Sequence, residues 1–176
     1  MNYYDEIASG YDELHSDEQL KKLAIIKKYF SPNREEKLLD VGCGTGVSSS
    51  WDCQVYAVDP SDGLLDIFRS RVGLEKDSDG KILNDGEVVL HIKQASAEKL
   101  PFSDTFFDYV ISLTAIQNFD DIGKGLREIK RVGKNKFALS FLKRSSRKDE
   151  ILDLMKNVFG NLKIVEEEKD IIVIID

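Results

Sequence analysis

Between Leu38 and Asp59 the chain reads "LLDVGCGTGVSSSWDCQVYAVD": two apolar runs, each ending in an aspartate, with Gly42, Gly44 and Gly46 alternating after the first. Runs of this length, rich in Leu and Val and bounded by turn residues, predict short buried strands, here Lys37 to Val41 and Gln54 to Val58. Glycines where a strand leaves a sheet allow positive φ and let backbone amides approach a ligand with no Cβ in the way. Asp59 closes the second strand, so two parallel strands would bring its carboxylate beside the glycine loop. A carboxylate there can accept both hydrogens of a ribose diol. This pattern points to a parallel sheet with a nucleoside-type ligand at its carboxyl edge, over a tight turn with an incidental strand-end aspartate.

The rest of the chain supplies the other layers. Leu20, Leu23, Ala24 and Ile26 recur at helical spacing with lysines between them, predicting a helix from Asp17 to Phe30 that stops before Ser31-Pro32. Ser61 can cap a helix over "DGLLDIFRSRV". Lys76 to Gly86 is turn-rich and reads as an exposed loop or hairpin tip. Strands are expected at Val88 to Ala95, Phe107 to Leu113 and Lys136 to Leu142, with helices over Asp121 to Val132 and Lys148 to Phe159. The tail "LKIVEEEKDIIVIID" reads as two strands around a charged turn, too closely joined for a crossover and therefore antiparallel. Strands alternating with helices give an α/β, Rossmann-like three-layer sandwich. Its sheet would have seven strands, mostly parallel with the last antiparallel. With 176 residues and no linker or repeat, one domain over 1–176 is expected: an amino-terminal lid and helix over 1–30, then a core over 37–176.

Composition narrows the function. No apolar run approaches the roughly 20 residues of a membrane span, and "MNYYDEIASGYDEL" lacks the features of a signal peptide. Cys43 and Cys53 are the only cysteines, which fits a reducing, cytoplasmic setting, and no metal-type Cys/His spacing occurs. The formal net charge of −7 argues against broad nucleic-acid affinity. Lys124 to Lys148 is nonetheless basic, with ten lysines and arginines against Glu128 alone. "KRSSRK", Lys143 to Lys148, would follow a strand on the ligand edge. It could face an anionic acceptor such as a phosphorylated metabolite, a carboxylate or, less favoured, RNA.

The glycine spacing is G-x-G-x-G, whereas a dinucleotide loop is normally G-x-G-x-x-G. This favours S-adenosyl-L-methionine over NAD, and with one domain expected none is expected to hold a hydride substrate. "LLDVGCGTG" resembles the first motif of the class I S-adenosylmethionine-dependent methyltransferases, and "VYAVDPS" their second. "ASAEKLPFSDTFFDYVISLTAIQNF" resembles the segment D-A-x-x-L-P-F with its following strand. "YYDEIASGYDELH" is similar to the lid element of the small-molecule-type (type 11) subgroup. The resemblance covers nearly the whole chain and implies a methyltransferase acting on a small or medium acceptor. It implies that Asp40, Gly42, Cys43, Gly44, Thr45 and Gly46 line the methionine moiety and that Asp59 holds the ribose. Pro60 and Ser61 would flank the adenine, Ser96, Ala97 and Glu98 its wall, and Leu113 and Thr114 the floor. Ser96 stands where the family often has aspartate, and a neutral hydrogen bond is worth about half a charged one.

So few residues separate Gly46 from Asp59 that the helix after the glycine loop must shrink to about a turn, as Ser48, Ser49 and Ser50 also suggest. Methyl transfer needs no catalytic triad. Candidates near the reacting centre are Tyr4 and Tyr11 of the lid, Asp12 and His15 as bases, and Gln117 and Asn118 as hydrogen-bonding groups. The alternatives are a non-catalytic S-adenosylmethionine-binding module and an NAD(P)-dependent oxidoreductase. Acceptor identity and oligomeric state are not encoded in any motif.

Overall fold

A computed structural model of the chain describes residues 16–75, 80–83 and 88–176. The helix α1 covers residues 16–26, with turn residues to 29. It is followed by β1 (Lys37–Val41), β2 (Gln54–Asp59), α2 (Asp62–Arg71), β3 (Gly80–Leu83), β4 (Val88–Gln94) and β5 (Phe107–Ser112). Then come α3 (Ile122–Val132), β6 (Gly133–Leu142), α4 (Lys148–Phe159), β7 (Lys163–Glu166) and β8 (Asp170–Ile175). The strands form one sheet in the order β3-β4-β2-β1-β5-β6-β8-β7. β1, β2, β4, β5 and β6 pair in parallel, and β8 lies antiparallel between β6 and β7. All seven expected strands are present. An eighth, β3, pairs antiparallel with β4 at the edge, inside the turn-rich segment.

Strand alternation divides the core. From β1, Leu39 and Val41 face a cluster with Ile122, Leu126, Ile129 and Val132 of α3 and Ile151 and Met155 of α4. Leu38 faces the opposite way, toward Ile26 of α1, Phe30, and Leu65 and Phe68 of α2. β6 and β8 alternate likewise, Phe137, Leu139 and Phe141 against Ala138, and Ile171 and Val173 against Ile172 and Ile174. This is the period of two that a sheet covered on both faces imposes.

Two local outcomes shape the site. The segment after the glycine loop is a single 3-10 turn, Val47–Ser49, as its length requires. Phe68 of α2 occupies the space beside it, and a Cβ at Gly46 would come within 2.2 Å of that ring. Secondly, α1 ends earlier than its pattern suggests. Its last turn tightens, Lys28 and Tyr29 donating to the carbonyls of Ile25 and Ile26 three residues back. Its buried face is also different: Leu23 and Ile26 are buried, whereas Leu20 is 50% exposed and Lys22 is 1% exposed.

Candidate functional site

Parallel strands deliver their carboxyl ends to one edge, and the order reverses at β1, with β2 on one side and β5 on the other. Ligands in open α/β sheets bind outside such a switch point. There the structure has a cleft of about 210 Å³ whose walls come from four loops. Gly42 and Gly44 follow β1, Asp59 and Pro60 end β2, and Leu64 comes from α2. Ser96, Ala97 and Glu98 follow β4, and Leu113, Thr114, Ala115, Asn118, Phe119 and Asp120 follow β5.

The glycine loop is shaped from below. Gly42, Gly44 and Gly46 have φ of 72°, 55° and 84°. The amides of Gly42 and Cys43 both donate to the Val58 carbonyl, at 2.8 and 3.0 Å, binding the loop to β2. A Cβ on Gly42 would lie 2.5 Å from that of Ala115, so the loop also sits hard against the β5 wall. Asp59, 6% exposed, joins two elements. One carboxylate oxygen accepts from Gly44 N–H and the other from Ser61 N–H, both at 2.9 Å. Ser61 Oγ accepts from Leu64 N–H and caps α2 as its position predicts.

Asp40 lies fully buried beneath the loop. Its Oδ2 accepts from Ser48 Oγ at 2.6 Å and Ser49 Oγ at 2.7 Å, while Oδ1 has no partner. Burial pushes this carboxyl up to about 6; the two serines oppose the shift, and Asp59 adds to it. Burial likewise pushes the Cys43 thiol well above its ordinary range and Cys53 up to about 12, so neither is a nucleophile at neutral pH.

Of the residues expected to touch a cofactor, Gly42, Gly44, Asp59, Pro60, Ser96, Ala97, Glu98, Leu113 and Thr114 line the cleft together. Asp40, Cys43, Thr45, Gly46 and Ser61 stand behind it. Thr45 is turned toward α2, where Arg71 donates to its carbonyl at 2.9 Å. Asn118 faces the cleft; Gln117 instead folds back, its amide donating to the Thr114 carbonyl at 2.8 Å. Tyr4, Tyr11, Asp12 and His15 lie outside the described residues.

Sequence reasoning passed over Leu64, Ala115, Phe119 and Asp120 as lining groups, and the Ser48–Ser49 clamp on Asp40. The serines were legible as poor helix formers, though not as donors. The basic segment is partly neutralised: Lys143 pairs with Glu166 at 3.1 Å and Arg147 with Glu150 at 2.8 Å. Among the described residues no helix is long and apolar enough to cross a membrane, and no group of side chains could hold a metal.

The methyltransferase domain family matches residues 39–141. A demethylmenaquinone methyltransferase of Clavibacter sepedonicus is 31% identical over 138 residues, which cover 73% of this chain and 51% of that protein. One from Bacteroides fragilis is 29% identical over 141 residues, covering 73% and 53%. The chain thus spans about half the length of these curated relatives. Among solved structures, a methyltransferase of Thermotoga maritima superposes with a TM-score of 0.74 at 18% identity, over 98% of this chain and 97% of that one. One from Aquifex aeolicus gives 0.68 at 17% identity, over 96% and 97%. These likenesses support the fold, and the matched segment runs from β1, through the glycine loop and the cleft, to β6. The chain belongs to the methyltransferase domain family, in the class I S-adenosylmethionine-dependent group that its motifs resemble.

Proposed function

We propose that the chain transfers the methyl group of S-adenosyl-L-methionine to a small-molecule acceptor. The observation that carries this is the meeting, in one cleft at the switch point, of a positive-φ glycine loop and the Asp59 carboxylate. Those residues fit the cofactor: Asp59 would hold the ribose hydroxyls, Gly42 and Gly44 leave backbone open to the methionine chain, and Ser96 and Ala97 would wall the adenine. Asp40 would act from beneath the loop and not by lining. The cofactor supplies an activated methyl on a sulfonium. The protein's part is alignment, which in favourable cases lowers a barrier by roughly 7–11 kcal/mol, and exclusion of water. Leu64, Leu113, Ala115 and Phe119 supply the apolar surface for that.

The acceptor's charge follows from the rim. Among the described residues, every ionisable side chain lining the cleft is acidic: Glu98 and Asp120, besides the Asp59 assigned to the ribose. That supports a neutral or cationic acceptor in place of the anionic one suggested by Lys143 to Lys148. Asn118 is the lining group suited to orient it by hydrogen bonding.

Calorimetric titration with S-adenosylmethionine, S-adenosylhomocysteine and NAD in parallel tests the assignment. The first two are expected to bind and NAD not to, and Asp59→Ala should weaken both by about 1–3 kcal/mol through loss of a charged acceptor. Binding of NAD alone would overturn the assignment, and an unchanged Asp59→Ala titration would overturn the placement of the ribose.

A further inference from the structure

Three polar side chains, spread over 148 positions of sequence, meet at the floor of the cleft. Asp170 begins β8, and because β8 runs antiparallel its first residue stands opposite Leu142, at the same edge as the ligand loops. Its Oδ2 accepts from Lys22 Nζ of α1 at 3.2 Å and its Oδ1 from Thr114 Oγ1 at 3.0 Å. The Lys22 ammonium also donates to the Thr114 hydroxyl, closing a three-membered network. Lys22 and Asp170 are each 1% exposed.

A buried ion pair is a poor source of stability, because desolvating both charges offsets most of their attraction; an apolar pair of equal volume often does as well or better. What this pair holds is therefore the more informative question. Thr114 lies between them and the cleft, and it has a φ of 56°. A β-branched residue in the left-handed region is strained and persists only when its surroundings over-determine it. Here they do. The Thr114 N–H donates to the Ser140 carbonyl at 3.0 Å and Oγ at 2.9 Å, and its carbonyl accepts from Gln117. Its hydroxyl is taken by Asp170 and Lys22. From α1, Lys22 reaches this residue. A second contact ties the same helix to the same region, as Lys169 pairs with Glu18. Thr114 in turn precedes Ala115, on which Gly42 is packed without slack.

We propose that Lys22 and Asp170 are positioning residues for the cofactor cleft. They act through Thr114, so that docking of α1 sets the wall at 113–115 against the glycine loop. The inference rests on the methyltransferase reading. Because coupling is reciprocal, a ligand that needs the wall in place also strengthens the docking of α1.

The test is calorimetric titration with S-adenosylhomocysteine. Lys22→Met combined with Asp170→Asn leaves no buried charge unpaired. It is expected to melt cooperatively with the wild-type circular dichroism spectrum and to bind about tenfold or more weakly. Thr114→Val, which replaces the hydroxyl with a methyl group and keeps the branched shape, should lose a similar factor, whereas Thr114→Ser should recover most of the affinity. Lys22→Met and Thr114→Val together should cost no more than the worse of the two, since both cut the same link. Wild-type affinity in the charge-free pair, or losses that multiply, would overturn the proposal. Should that pair fail to fold, Thr114→Val against Thr114→Ser decides alone, equal affinities counting against it. A wild-type chain that binds no S-adenosylhomocysteine would instead sink the methyltransferase reading, and this inference with it.

Discussion

At Asp40 two demands compete. Strand β1 must be buried to carry the sheet, yet the glycine loop at its end needs an acceptor beneath it for Ser48 and Ser49. The carboxyl is consequently held near 6, above its ordinary value of 3.8. The native chain keeps a proton there between about pH 4 and pH 6 that the unfolded chain has released. Stability from this group is therefore fully present below pH 4, is lost as pH rises through 6, and stays lost above it. The difference amounts to at most about 3 kcal/mol. Asp40→Asn removes the titration, so its stability relative to wild type should improve by roughly 2–3 kcal/mol between pH 4 and pH 7. Urea unfolding at intervals across that range measures this; a constant gap between the two proteins would refute it.

At the scale of elements, α3 holds the loop Leu100 to Thr105, which continues from the Ser96–Glu98 wall of the cleft. Arg131, in the last turn of α3, grips Glu128 with two donors at 2.7 and 2.8 Å. Its remaining donors reach the carbonyls of Phe102 at 2.8 Å and Leu100 at 3.1 Å, and Asp104 at 2.7 Å. Glu128 accepts from Leu100 N–H at 2.9 Å, and its carboxyl is held below its ordinary value chiefly by the arginine. Lysine at 131 would keep the charge and lose the fork. Arg131→Lys should lower stability by about 1–2 kcal/mol in urea unfolding, and an unchanged midpoint would show the fork to be dispensable. The link to this loop was invisible in the sequence, where Arg131 is one basic residue in a basic run, because Leu100, Phe102 and Asp104 lie some 30 positions away. Lys22 is a sharper case: a lysine between apolar positions reads as solvated, and only Asp170, from the far end of the chain, makes it a buried one. What was legible is local. The glycine spacing, the aspartates ending β1 and β2, the clipped turn after Gly46 and the Ser61 cap all declare themselves within a few residues. The side of the loop on which Asp40 and Thr45 fall depends on packing from other elements, and so was not.

For the whole molecule, the sheet order predicts a gradient of protection. β1, β5 and β8 are buried along almost their whole length, whereas β7 is largely exposed. Hydrogen exchange of the amides in β1, β5, β6 and β8 should approach the global unfolding limit. β7 should exchange faster despite its ladder to β8. Equal protection of β7 and β1 would mean that the edge is covered by something beyond the described residues.

The placement of β8 between β6 and β7 also has a consequence in time. During synthesis β7 leaves the ribosome before β8, so the open edge of β6 meets the wrong neighbour first. At roughly 5–20 residues per second the interval is on the order of a second, long enough for a strand to pair. The sequence guards the vacancy by making the early strand a weak competitor. "KIVE" offers little apolar surface and two charges, whereas "DIIVII" offers five consecutive β-formers to the waiting edge. The same late arrival brings Asp170, so the floor of the cleft is assembled only after β1 to β7 have left the ribosome.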